Sequence, residues 1–206
     1  THAVFNHSIP WVYLLDYTSG KYLLISKSMK LMLGYDPDYF MKGGLELVFD
    51  NYERNHFRLF NESIFPDRLE VLKKIPPAEH ANHIFTYNFH YRSKSGDFVN
   101  LLQRNCFVKS DEQGNPLLSF GVITNINHYK TDNPVMQVVE KISPDGMFDS
   151  SNLVFKKAYY LNKEDALFTK REMELLRWVA DGLTSKEIAD RLYISEFTVV
   201  AHKRNM

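Results

Sequence analysis

Apolar and polar positions alternate most sharply in "HIFTYNFHYR", where Phe85, Tyr87, Phe89 and Tyr91 are separated by Thr86, Asn88 and His90. A period of two is the signature of a strand with one buried face. A polar turn at residues 93–97 leads to "FVNLLQRNCFVK", and a second turn at 111–116 leads to "LLSFGVITNIN". These three runs predict an antiparallel meander. Near the start, "IPWVYLLDYTSGKYLLIS" reads as two strands around Thr18-Ser19-Gly20, a hairpin signal. The stretch "KSMKLMLGYDPDYFMKGG" predicts a short helix ending at Leu33-Gly34-Tyr35 and a restart marked by Pro37. Residues 45–75 read as helical or irregular, with aromatic residues scattered among charges. A strand pair, small helices and a three-stranded meander make an α+β unit, a five-stranded antiparallel sheet with its helices on one face.

The pattern changes period towards the end of the chain. Thr169-Lys170-Arg171-Glu172 and Thr184-Ser185-Lys186-Glu187 both have the form of a capping box, in which a threonine hydroxyl and a glutamate three residues on bond each other's amides. Leu175, Leu176, Val179 and Ala180 line one helical face, and Asp181-Gly182 is a natural stop. Ile188, Ala189 and Leu192 line the next helix. Ser195 caps a third, running from Glu196 onward. Two helices joined by a tight turn and buttressed by a third predict an all-α helix-turn-helix.

On a wheel of the last helix, Val199, His202 and Met206 point to the supporting helices, while Phe197, Val200, Ala201 and Arg204 point away. In a helix-turn-helix this outer face meets base edges in the DNA major groove. Arg204 offers a fork of donors to guanine, and Phe197, Val200 and Ala201 suit thymine methyl groups. Lys186, Arg191 and Lys203 suit phosphates. His202 fits a packed, hydrogen-bonded histidine better than a base reader.

The segment 168–206 resembles the LuxR/GerE helix-turn-helix family. The resemblance rests on Glu172, Gly182, Lys186-Glu187-Ile188-Ala189, Ile194-Ser195, Thr198-Val199, His202 and Asn205. It implies sequence-specific binding of double-stranded DNA, with base-facing positions at Val200, Ala201 and Arg204. The family often has lysine or arginine where Val200 stands. It also has a fourth helix, often a dimerisation surface, for which this chain has no counterpart before its last residue, Met206. The expectation is therefore a truncated domain whose Val199, His202 and Met206 are partly uncovered and whose last turns fray, unless the sensor itself covers the helix in an inhibited state.

The front body resembles a PAS domain, on Leu33-Gly34-Tyr35-Asp36-Pro37 with Phe40, Ser95-Gly96-Asp97-Phe98 and Gly121-Val122-Ile123-Thr124-Asn125-Ile126. That resemblance implies a sensor of a small-molecule or protein signal, and a homodimer. The expected organisation is a sensor over 1–129, a connector over 130–166 and the DNA-binding domain over 167–206. Within the connector, "VMQVVEKI" and "LVFKKAYYL" flank a turn at Ser143-Pro144-Asp145-Gly146 and predict an extra hairpin, packed on the sensor sheet or on a second protomer.

Charge alters this picture little. The chain has 25 Lys or Arg and 25 Asp or Glu, a net charge of zero. Between 168 and 206 there are seven basic and six acidic residues. DNA affinity must rest on where the charges sit, not on their sum. No run is long and apolar enough to span a bilayer, so the expected location is the cytoplasm. A single cysteine, Cys106, excludes a disulfide framework.

No cofactor is expected. "RNCFVK" falls in a strand, unlike the helical cysteine of flavin photoreceptors. Among His56, His80, His83 and His90 no pattern marks a haem ligand. His80 and His83 have helical spacing but no evident third ligand, and read as solvated loop residues rather than a metal site. Tyr87, Phe89, Tyr91, Phe107 and Phe120 read as core and sheet surface. No phosphate loop, HExxH or nucleophile elbow is present, so no enzyme is expected. The alternative to a transcription regulator is a protein-interaction module that dimerises without binding DNA.

Overall fold

A computed structural model describes residues 9–129, 134–143, 150–161, 170–192 and 194–205. The predicted hairpin forms β1 (Trp11–Asp16) and β2 (Lys21–Ile25). It is followed by α1 (Ser28–Leu33), α2 (Pro37–Asp50) and α3 (Arg54–Leu59). A single π-helical stretch, Phe60–Ile64, leads into α4 (Phe65–Lys73), and a 3-10 segment, Pro77–Asn82, precedes the meander. The meander is β3 (His83–Arg92), β4 (Phe98–Ser110) and β5 (Pro116–Asn125). Each local stop has a cause. Gly34 ends α1 at φ 79°, and Asp36 caps α2 by accepting from the Asp38 amide at 3.2 Å.

The sheet has seven strands, not the expected five. Its order is β2-β1-β5-β4-β3-β6-β7, every pair antiparallel. The first five, with α1–α4, make the front unit, the one the sequence predicts to be a PAS-like sensor. The other two are the connector runs, β6 (Val135–Lys141) and β7 (Leu153–Tyr159). β6 pairs with the edge of β3, Phe85 opposite Val139, so the sensor sheet takes up the hairpin. Val139 is fully buried, as suits a β-branched residue on a pleated, covered face. The turn expected at 143–146 lies largely outside the described residues, as does the capping box at Thr169.

The buried face of β3 stacks its aromatic rings into one layer. Phe85, Tyr87, Phe89 and Tyr91 are all almost wholly buried. Tyr52 stacks on Phe89 with ring centroids 4.9 Å apart, and its hydroxyl meets that of Tyr87 at 2.6 Å. Burial pushes both phenols above their ordinary range, Tyr87 up to about 12. The expected core and surface split holds: Phe107 is buried in the core, whereas Phe120 lies on the sheet surface, 41% exposed.

Inside α2 the backbone breaks at Gly44, with φ 63° and ψ −152°. A Cβ there would lie 2.6 Å from the Gly20 carbonyl oxygen. The next amide, of Leu45, donates to that same oxygen at 3.0 Å. The kink thus ties α2 to the β1–β2 turn at a spot where only glycine fits. Gly44→Ala is expected to destabilise the fold by roughly 1–3 kcal/mol, because it adds both forbidden torsion and a clash. A denaturant midpoint unchanged from wild type would show that the kink is dispensable.

Candidate nucleic-acid interface

The last three helices are α5 (Lys170–Ala180), α6 (Ser185–Leu192) and α7 (Glu196–Asn205). Their shared core is Leu175, Ile188, Ala189, Leu192 and Val199. The second capping box is formed as expected. The Thr184 amide donates to Glu187 Oε2 at 2.8 Å, and the Glu187 amide donates to Thr184 Oγ1 at 3.3 Å. Hydrogen bonds from the Thr184 side chain hold the Glu187 carboxyl below its ordinary range. Ser195 caps α7 by accepting from the Thr198 amide at 3.1 Å. Gly182 takes φ 82° and ends α5. This is a helix-turn-helix with α7 as its second, recognition helix.

The candidate phosphate contacts Lys186 and Arg191 are exposed. Lys203 is half-buried and donates to Ser185 Oγ at 3.0 Å, which ties α7 to the start of α6. The outward face of α7, however, is only partly open to solvent: Phe197 and Arg204 are exposed, yet both touch the front unit. Ala201 is fully buried and belongs to the same core cluster as Phe40, Val48 and Phe57 of the sensor. Phe197 lies on Gly20, where an added Cβ would meet its ring at 3.0 Å. Val200 is half-buried. Arg204 reaches α2: Nη1 donates to Glu46 Oε1 at 2.8 Å, Nη2 donates to the Glu46 carbonyl at 3.1 Å, and Nη2 pairs with Asp50. Burial holds the Asp50 carboxyl above its ordinary value even with Arg204 beside it.

Two expectations need correcting. His202 was assigned to the supporting helices, but its ring lies 5.7 Å from that of Phe57 and its Nε2 is 2.9 Å from Asn61 Nδ2, both on the sensor. Val199 and His202 were expected to be partly uncovered. They are 0% and 5% exposed. The reasons differ: Val199 is buried in the core of the helix-turn-helix itself, whereas His202 is covered by the sensor. Met206 lies outside the described residues.

Where the two units meet there is a cleft of ≈ 970 Å³. Tyr17, Phe65 and Leu69 line it from the sensor, and Ile194, Ser195 and Phe197 from the helix-turn-helix.

Residues 166–206 match the family described as bacterial regulatory proteins, luxR family. The match spans the three helices just described. The chain is 62% identical over 39 residues to the regulatory protein SdiA of Escherichia coli (strain K12), covering 19% of this chain and 16% of that protein. It is 47% identical over 55 residues to the nitrate/nitrite response regulator protein homolog of Haemophilus influenzae, covering 27% and 26%. The chain thus spans about a quarter or less of the length of these two relatives. The N-terminal domain of a diguanylate cyclase with PAS/PAC sensor from Marinobacter aquaeolei superposes with a TM-score of 0.43 at 10% identity, over 58% of this chain and 96% of that one. The luxR-type match falls on the capped helices, and the second helix of that helix-turn-helix is the one the front unit partly covers.

The histidines sort differently from expectation. His80 and His83 are not solvated loop residues; they are 1% and 4% exposed. His80 Nε2 donates to the carbonyls of Leu72 and Ile75 at 3.1 and 2.9 Å, with Nδ1 2.8 Å from Ser110 Oγ. His83 Nδ1 donates to the Glu79 carbonyl at 2.9 Å. His80 thus closes off carbonyls at the end of α4, and His83 one within the 3-10 segment. The sequence reading missed another grouping, Glu53, His56 and His90. Its local part was visible as an i, i+3 pair, but His90 joins from a distant strand. Hydrogen bonding from His90 holds the Glu53 carboxyl below its ordinary range. Cys106 is a half-buried free thiol on β4, and burial raises its pKa. Among the described residues no helix is long and apolar enough to cross a membrane.

Proposed function

We propose that this chain is a sequence-specific, DNA-binding transcriptional regulator of the cytoplasm whose PAS-like sensor holds the recognition helix shut. The carrying observation is the placement of α7. Its helix-turn-helix has the Thr184 and Ser195 caps and the core formed, yet Ala201 is buried in the sensor and Arg204 is held by Glu46 and Asp50. A helix in that position cannot enter a major groove. DNA binding therefore requires undocking, and the sensor sets its cost.

In this reading Val200, Ala201 and Arg204 meet base edges, with Phe197 at their flank, while Lys186, Arg191 and Lys203 meet phosphates. The sensor over 1–129 receives the signal, the hairpin over 130–166 joins it to the DNA-binding unit, and two copies act together on DNA. A small molecule in the cleft between the units is the simplest signal. The cleft's size falls in the range of ligand sites. A ligand that fits the docked or undocked form differently shifts the balance between them. The chain acts by binding, not by catalysis.

Filter binding of the full chain to duplex DNA over a salt series tests this. Affinity should fall steeply and log-linearly with salt, as phosphate contacts displace counterions. Salt-independent binding, or none with Glu46 and Asp50 replaced, would favour an interaction module without DNA binding.

A further inference from the structure

Glu53, His56 and His90 converge from two elements that backbone bonds lock together. Glu53 caps α3 with an extended backbone, and His56 stands one turn on, so the i, i+3 spacing brings its ring back over the carboxylate. The chain before α3 is pinned to β3 at three points. The Glu53 amide donates to the His90 carbonyl at 3.3 Å, the Arg92 amide donates to the Asn51 carbonyl at 2.7 Å, and Tyr52 bridges to Tyr91. Glu53 and His90 are thus placed side by side before any ligand arrives.

The donor atoms have a telling spacing. Glu53 Oε2 lies 3.3 Å from His56 Nε2 and 3.5 Å from His90 Nδ1, and the three residues each place a ligand atom within 4.8 Å of the others. Charge-assisted hydrogen bonds of this kind are shorter, about 2.7–2.9 Å. Bonds of about 2.0–2.1 Å at tetrahedral angles put ligand atoms roughly 3.3–3.4 Å apart. The separations to Glu53 are thus long for charge-assisted hydrogen bonds and close to the edges of a metal tetrahedron.

We propose that Glu53, His56 and His90 bind one divalent transition-metal ion, with zinc the resident class. Two imidazole nitrogens and one carboxylate oxygen suit zinc, cobalt or nickel. Magnesium and calcium require oxygen donors throughout. The His56 side chain is 3% exposed, which fixes one ligand in the protein, whereas Glu53 and His90 are 25% and 29% exposed. The site is open on that side, so water or an outside donor completes the fourth position. The two rings are stacked with centroids 4.1 Å apart, so taking up the ion requires them to rotate about their side-chain bonds until both nitrogens face it.

Cobalt(II) titration of the chelator-stripped full chain tests the site. Wild type should take up one equivalent with the visible absorption of tetrahedral cobalt, and zinc should displace it. His90→Ala and Glu53→Gln should each weaken uptake by at least about tenfold, since even outer-shell partners of metal ligands carry that much. His128→Ala, in an exposed loop, should bind as wild type. Absence of the band in wild type, or wild-type affinity in either ligand variant, overturns the proposal. Ring nitrogen resonances of wild-type protein read the same ligands if a variant does not fold. On adding zinc, those of His56 and His90 should shift and that of His128 should not; unshifted His56 and His90 signals overturn it equally.

Discussion

Replacing Glu46 and Asp50 together by alanine is expected to tighten DNA binding by the full chain about 2- to 30-fold. Both carboxylates sit on the sensor and neither belongs to the helix-turn-helix, so DNA contacts stay intact. What changes is the docked state. Partly exposed ion pairs of this type contribute about 0.2–1 kcal/mol each. Losing two therefore lowers the cost of undocking by up to about 2 kcal/mol, and 1.4 kcal/mol is tenfold in affinity. The gain should be equal on cognate and random DNA, because opening precedes any reading of sequence. Hydrogen exchange offers a check without DNA. Amides of α7 should lose protection in the double variant while those from Phe85 to Tyr91 keep theirs. Unchanged affinity and unchanged α7 protection would show that Arg204 does not hold the helix down.

Local signals in the chain were enough for the elements, and for little beyond them. The β3 alternation, the Leu33-Gly34 stop and the Thr184 and Ser195 caps each depend on residues within a turn or a pleat of one another. Each stands where its pattern places it. The connector runs could be read as strands, but not as sixth and seventh members of the sensor sheet, because an edge strand's partner leaves no mark in its own pattern. Gly44 sat unremarked in "MKGG", since its strained torsion is imposed by the Gly20 carbonyl from another element. The largest gap was the docking of α7. Arg204 and Glu46 are 158 residues apart, and a charged side chain looks the same in sequence whether it is solvated, paired or bound to DNA. The wheel correctly turned Ala201 away from the helix-turn-helix core. It could not tell that another core would receive it. His56 and His90 likewise look unrelated until Glu53 is seen between them.

Arg204 carries two opposed roles, and its removal separates them. On a cognate site Arg204→Ala should lose a base contact worth about 1–3 kcal/mol and relax preference at one base pair. The same change also frees α7 from Glu46 and Asp50, which favours binding to any sequence. In the wild-type background the two effects oppose. Random DNA should then be bound more tightly, and cognate DNA only moderately more weakly than wild type binds it. The ratio of cognate to random affinity should still fall by the full base contact, roughly 5- to 150-fold. In the Glu46→Ala, Asp50→Ala background the release has already happened, so Arg204→Ala should show the whole loss on cognate DNA and almost none of the gain on random DNA. Lys203→Ala supplies the contrast, weakening every sequence about equally and reducing the salt slope by about 1. A cognate-to-random ratio that survives Arg204→Ala in both backgrounds would leave Arg204 as a latch on the sensor alone and move base reading to Val200 and Ala201.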